Sequence, residues 1–327
     1  MTKLTPQSSY IDPDLAEGLA AMADMLGGHG LRDDLAGARA VSDARDAQMA
    51  QALQVPETLA QEILHAPSAE GHDIDLRIMR PKDASGKLPL LYWIHGGGYI
   101  MGTAQQGDMF TLGAAQRLGC FAASVEYRLA PETAYPGPLE DCYQGLKYLY
   151  DNADRLGIDR NKIMIGGVSA GGGLAAGLAL LIRDRAEMEI CAQVLIYPMI
   201  DDTNIAPAAD DVPDTMIWSR ADNKFGWQSY LGDLFGQKDV PIYAAAARAD
   251  DLSGLPPTYM PVGDLDLFLD ENIRYARKLT QAGVPTHFHI VPGAFHGFNG
   301  FAASAPISKA INMETFAFVG KILAELE

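Results

Sequence analysis

The sequence predicts an α/β fold: a central, mostly parallel sheet with helices on both faces and a helical cap. Two observations predict it. From about residue 72 onward, short apolar runs alternate with helical stretches, the rhythm of a parallel sheet with crossover helices. Runs such as LPLLYWI at 88–94 are apolar throughout rather than at every second position, which suits a strand covered on both faces. A chain of 327 residues, 48% hydrophobic and 20% charged, is also ordinary for a globular protein, so a disordered or collagen-like chain is excluded.

Taken in order, the N-terminal part differs from the rest. Leu15, Leu19, Met22, Met25 and Leu26 recur at helical spacing and stop at the Gly27-Gly28 breaker. A second, polar and Ala-rich helical stretch covers 33–53. Neither has a broad apolar face, so both are expected to lie on a larger body as a partial cover. Strands are expected at 74–79, 88–94, 121–126, 163–165, 192–196, 259–262 and 287–291. Helices are expected at 109–118, 139–152, 170–183, 271–282 and 307–326. The stretch 201–237 interrupts the rhythm. It opens with acidic runs at 201–204 and 209–214, then offers Met216, Ile217, Trp218, Phe225, Trp227 and Tyr230 as inward-facing residues. The division that results is 1–55 as the N-terminal part of the cap, 56–200 and 238–327 as the core, and 201–237 as a cap insertion.

Charge and cysteine usage narrow the function. With 25 Lys and Arg against 42 Asp and Glu, the formal net charge is −17, which repels nucleic acid and anionic membrane surfaces. Cys120, Cys142 and Cys191 are too few and scattered for a disulfide framework, and no CxxC pair suggests a metal. Each is expected to be a small buried apolar residue. Residues 1–14 lack a signal-peptide pattern. The most apolar stretch, 173–182, ends well short of the roughly 20 residues that cross a bilayer. A soluble, cytoplasmic protein is therefore expected, with no nucleic acid or membrane as partner.

The chemistry centres on Gly167-Val168-Ser169-Ala170-Gly171, between an apolar strand and a helix. Glycine on both sides lets the chain turn sharply and lift a serine hydroxyl to the carboxyl edge of the sheet. The free N–H groups of the helix start suit developing negative charge. The pattern is weak alone, and its placement strengthens it. Directly after the 88–94 strand stands His95-Gly96-Gly97-Gly98-Tyr99. Three glycines cost backbone entropy, and their functional return is that bare amides can approach a substrate oxygen, forming an oxyanion hole. A serine needs a base. Of seven histidines, His29, His65 and His72 precede the core region, and His287 and His289 alternate within a strand, where packing is expected. His296 lies in a loop after the last strand, where catalytic groups collect in open α/β sheets. The acid must fall between Ser169 and His296. Asp264 and Asp266 are both near a strand end, and position alone does not choose between them. Asp270 and Glu271 read as first-turn helix acids.

Together these pieces resemble the hormone-sensitive-lipase-like family of α/β-hydrolases, the bacterial family IV esterases. The matching segments are HGGGY at 95–99, EYRLAPE at 126–132, YPGPLED at 135–141, GVSAGG at 167–172, DLFLDE at 266–271 and HGF at 296–298. They run in family order over roughly residues 75 to 300. The resemblance implies Ser169 as nucleophile, His296 as general base and Asp266 as the acid. It implies the amides of Gly97, Gly98 and Ala170 as oxyanion donors. Arg128, Glu132, Glu140 and Asp141 are then scaffold, holding loops through ion pairs. Two positions depart from the family: Val168 stands where Asp or Thr is usual, and Leu267 where Pro is usual.

The activity so implied is hydrolysis of short-chain carboxylic esters through an acyl-enzyme, with no metal or organic cofactor and a small ester as partner. Tyr99, Met101, Trp218 and Trp227 are the expected pocket lining. Acyltransferase, amidase or lactonase chemistry would use the same triad, and a ligand-binding pseudoenzyme is the reading from another class. Family members are often dimers, so the resemblance implies a homodimer.

Overall fold

A computed structural model describes residues 11–26, 31–205 and 217–326, with backbone alone for 21–26. In chain order the elements are α1 (Pro13–Leu26), α2 (Leu35–Ala52), β1 (Leu59–Pro67), β2 (Asp73–Pro81), β3 (Leu88–Ile94), α3 (Asp108–Leu118), β4 (Phe121–Val125), α4 (Gly137–Asp151), α5 (Ala153–Leu156), β5 (Ile158–Val168), α6 (Ala170–Arg185), β6 (Ala192–Ile196), α7 (Arg220–Leu231), β7 (Thr258–Gly263), α8 (Leu269–Gln281), β8 (Thr286–Val291), α9 (Phe298–Phe301) and α10 (Pro306–Glu325). The Gly27-Gly28 break, His29, the acidic run 209–214 and Met216 lie outside the described residues.

The strands form one sheet in the order β1-β2-β4-β3-β5-β6-β7-β8. β1 with β2 and β2 with β4 are antiparallel, and every later pair is parallel. Among the described residues, two large apolar clusters and a small third one around Leu59 and Met79 lie on the sheet. The larger gathers Tyr92, Ile94, Leu174, Leu178 and Trp227, and the second Leu91, Trp93, Val194 and Phe295. Tyr92 and Trp93 are adjacent on β3 and fall in different clusters, so the unbroken LPLLYWI run serves both faces.

The expected strands and helices are all present, most with ends shifted by one to three residues. β1 is the strand that sequence patterning missed. Its run LAQEILHAP alternates half-buried and exposed positions between buried Leu59 and Ala66 at the edge of the sheet, and edge strands carry polar residues such as Gln61, Glu62 and His65 without penalty. The expected 163–165 strand is the apolar end of β5, whose polar start pairs Ile158 with Leu88. α1 packs on α9 and α2 on the turn Ala104–Gly107, with Ala38, Ser42 and Asp46 as the buried residues of α2.

Candidate active site

The strand β5 ends in a strained turn that α6 continues. Ser169 has φ 58° and ψ −122°, the left-handed half of backbone space that a serine occupies at a cost of about 1–3 kcal/mol. The flanking glycines are required by close backbone approach. A Cβ on Gly167 would meet the Gly171 carbonyl at 2.3 Å, and one on Gly171 would meet the Ile94 carbonyl at 2.2 Å. The turn is pinned from the neighbouring strand: the Ser169 amide donates to Ile196 O at 2.9 Å, and the Met199 amide donates to Ser169 O at 3.0 Å. Val168 packs on the second apolar cluster.

The structure brings three predicted side chains into hydrogen-bond distance. His296 Nε2 lies 2.9 Å from Ser169 Oγ, and His296 Nδ1 lies 2.8 Å from Asp266 Oδ2. With Nδ1–H donating to the carboxylate, Nε2 is free to accept the serine proton. All three are buried, Ser169 with 8% of its surface exposed. The Phe268 amide donates to Asp266 Oδ1 at 2.9 Å, which fixes the carboxylate's second oxygen. Asp264 points elsewhere, and its Oδ1 accepts the Gly293 amide at 2.7 Å, holding the loop that leads to His296. Leu267, at the family's proline position, is buried in the larger apolar cluster.

Sequence reasoning missed the residues around the imidazole. The rings of Tyr197 and Phe268 each stand edge-on to it with centroids 4.9 Å away. The Tyr197 hydroxyl donates to Asn299. The signal for Tyr197 was its place directly after β6, at the same sheet edge as Ser169.

The glycine loop is held in an equally unusual shape. Gly97, Gly98 and Tyr99 have φ of 115°, 60° and 68°. A Cβ on Gly97 would meet Met101 O at 2.0 Å, and one on Gly98 would meet the Trp218 indole at 2.1 Å. His95 stacks on Tyr127 at 4.1 Å and is fully buried, which lowers its pKa to about 4 and keeps it neutral. Its Nδ1 lies 2.8 Å from Gly96 O, and Tyr127 donates to His95 O at 3.0 Å. Among the described residues, the amides of Gly97, Gly98 and Ala170 donate no hydrogen bond.

The expected scaffold residues are ion-paired. Arg128 grips Asp141 at 2.8 Å and Glu70 at 2.6 Å, and Arg185 reaches Glu140 at 2.5 Å. Glu132 pairs with Arg39 of α2, which holds its carboxyl down to about 2. The acidic pair at 201–202 is also engaged rather than free. Asp202 is buried against Arg248 at 2.6 Å, and Asp201 meets Arg274 at 3.0 Å.

The expected pocket lining divides. Tyr99 and Trp227 are both 0% exposed and belong to the core: Tyr99 donates to Met199 O at 2.7 Å and stacks on Tyr230, and Trp227 packs beside it. In this structure neither ring presents surface, Tyr99 from the glycine loop packing against Trp227 and Tyr230 of α7. Met101 and Trp218 are half-buried at the loop.

Trp218 is itself fixed by a polar chain that the sequence did not signal. Its Nε1 donates to Asn223 Oδ1 at 3.2 Å, and Asn223 Nδ2 donates to Asn204 O at 2.7 Å. Asn204 Nδ2 donates in turn to Leu267 O at 3.2 Å and to Glu271 at 2.6 Å. Glu271, expected as a first-turn helix acid, stands in the first turn of α8, where it is buried and also accepts the Ile200 amide at 2.8 Å. Burial raises its pKa.

Cys120 and Cys142 are buried and Cys191 half-buried. Burial raises the Cys120 thiol to about 12 and the Cys191 thiol to about 11, the condition of unreactive cysteines. Among the described residues no three His, Cys, Asp or Glu side chains gather as a metal would need, and no helix is long and apolar enough to cross a membrane.

A family profile for the α/β hydrolase fold matches residues 91–300. The chain is similar to the carboxylesterase NlhH of Mycobacterium tuberculosis, 32% identical over 260 residues that cover 78% of this chain and 81% of the relative. It is similar to ethyl acetate hydrolase of Pseudomonas putida, 28% identical over 302 residues, with 88% and 92% covered. Among solved structures it is similar to a bacterial heroin esterase, 39% identical, with a TM-score of 0.87 over 96% of this chain and 98% of that one.

Proposed function

Because the chain belongs to the hormone-sensitive-lipase-like family of α/β-hydrolases and is a carboxylesterase, we propose that Ser169, His296 and Asp266 are its catalytic triad and short-chain acyl esters its substrates. The observation that carries the triad is the unbroken chain of contacts, 2.9 Å from Ser169 to His296 and 2.8 Å from His296 to Asp266. Ser169 Oγ attacks the ester carbonyl as His296 Nε2 takes its proton. Asp266 holds the tautomer and stabilises the imidazolium. The proton passes to the leaving alcohol, an acyl-serine remains, and a water deprotonated by His296 releases the acid.

The amides of Gly97, Gly98 and Ala170 serve as the oxyanion hole in this reading. Their freedom from protein acceptors supports it, because a donor already engaged has nothing to offer a developing oxyanion. Residues 1–55 and 201–237 act as the cap over a core made of 56–200 and 238–327. The small-substrate reading is supported by the low exposure of Ser169, by Trp218 lying on Gly98, and by the ethyl acetate hydrolase similarity. Met101 and Trp218 line the entry.

Initial rates on p-nitrophenyl esters from acetate to palmitate test the reading. Rates that peak at short acyl chains and fall by at least about 10³-fold in Ser169→Ala are expected. A peak at long chains would overturn the substrate class, and turnover that survives Ser169→Ala would overturn the triad.

A further inference from the structure

We propose that Arg39, on the N-terminal helix α2, is a positioning residue that locks the glycine loop in the shape its amides need. The proposal rests on the oxyanion-hole reading above. Three consecutive residues, Gly97, Gly98 and Tyr99, sit at positive φ, and Tyr99 is not a glycine. Such a loop persists only when its surroundings over-determine it. Its internal backbone–backbone bonds run from the Ile100 and Met101 amides to Gly97 O, both at 3.0 Å. The remaining restraint comes from outside. The Ala130 amide donates to Tyr99 O at 3.0 Å, and the Tyr99 hydroxyl donates to Met199 O at 2.7 Å.

Arg39 closes this set. Its Nε donates to Ile100 O at 2.7 Å and its Nη2 to Ala130 O at 2.8 Å. The guanidinium thus ties the carbonyl next to Tyr99 to the backbone segment that also holds Tyr99. Its outer edge forks onto Glu132 at 2.8 and 2.7 Å. Glu132 is mostly exposed, so that ion pair aims the guanidinium more than it stabilises the fold. The carbonyl bonds are charge-assisted and part-buried. A planar fork spans these acceptors at once, and a lysine ammonium does not. α2 also meets the turn Ala104–Gly107, where Asp46 accepts from Gln106 Nε2 at 3.0 Å, and Arg39 adds direct bonds to the backbone at Ile100 and Ala130.

The experiment measures kcat and KM on p-nitrophenyl acetate for wild type, Arg39→Ala and Arg39→Lys. It also measures inhibition by a trifluoromethyl ketone that forms an oxyanion adduct, and rescue of Arg39→Ala by millimolar guanidinium. Loss of loop registration is expected to lower kcat about 10–100-fold in Arg39→Ala with KM nearly unchanged, a fraction of what deleting a donor outright costs. Ketone affinity should fall in parallel, guanidinium should restore part of the rate, and Arg39→Lys should fall between. A kcat within about twofold of wild type, or a loss confined to KM with ketone affinity intact, would overturn the proposal. Should Arg39→Ala give no cooperative melting transition, Arg39→Lys decides by the same criteria. Ser169-dependent turnover indifferent to Arg39 removes this proposal alone, and turnover independent of Ser169 removes the site reading beneath it.

Discussion

At the scale of single residues, the two acids after β7 make the sharpest test. Asp266 touches His296, whereas Asp264 holds the Gly293 amide. Asp266→Asn keeps the shape of the side chain but offers His296 a neutral partner that favours the wrong tautomer. A fall of about 10³–10⁴ in kcat is expected, with little change in Tm. Asp264→Asn removes a charged acceptor from a backbone amide. It should cost about 1–3 kcal/mol of stability and leave kcat within about tenfold. Steady-state rates beside a thermal melt check both, and equal catalytic losses would mean the two acids had been assigned the wrong roles. The sequence carried both acids equally, because a spacing of two residues near a strand end does not say which carboxylate turns inward. The family motif favoured Asp266. Nothing in the motif marked Tyr99 or Trp227 as core residues, since aromatics in a loop or insertion read alike whether they face a cavity or fill one.

At the scale of elements, the join between β4 and the turn after the glycine loop carries a pH signature. Glu126 follows β4, and its carboxylate accepts the Ala104 amide at 2.9 Å. Burial raises its pKa from 4.5 to about 7, against the opposing pull of that amide and Arg77. The folded state therefore binds the proton more tightly than the unfolded chain. The stability this gives is complete below about 4.5 and is lost as pH rises through 7. His95 works in the opposite sense: its folded pKa is depressed from 6.5 to about 4, so its contribution is present above 6.5 and lost as pH falls. The two offset each other in wild type between pH 4.5 and 6.5. In Glu126→Gln that falling contribution is removed, while those of His95 and of buried Glu271 are common to both proteins and cancel in their difference. The wild-type-minus-variant difference should fall by up to about 3 kcal/mol from pH 4.5 to 8 in urea unfolding. A difference constant with pH would show that Glu126 titrates as an ordinary exposed acid. Patterning found the buried elements because continuous apolar runs and helical spacing are burial signals. It missed β1 because an edge strand is only half buried, and its charged residues pair outward, as Glu62 does with Arg80 at 2.9 Å.

At the scale of the whole molecule, chain order made the site legible and charge sets what it admits. Parallel connections deliver the carboxyl ends of β3, β5, β7 and β8 to one edge of the sheet, so motifs far apart in sequence were expected to converge there. The acidic excess gave no such local reading. Asp201 and Asp202, the start of the acidic run at 201–204, are neutralised by Arg274 and Arg248. Those two side chains are thus not a free negative rim, and the net charge of −17 acts on an anionic ester through solvent. A field of that kind is screened over about 10 Å at 0.1 M salt, while a contact charge within the site is not. The kcat/KM for a monosuccinate ester should thus lie a few-fold below that of a neutral ester of equal size at about 10 mM salt. The gap should close by about 0.3 M, with the neutral ester unaffected. A gap that persists at high salt would place a negative group against the substrate itself. No gap at low salt would mean that the entry lies where the molecule's positive and negative side chains already balance.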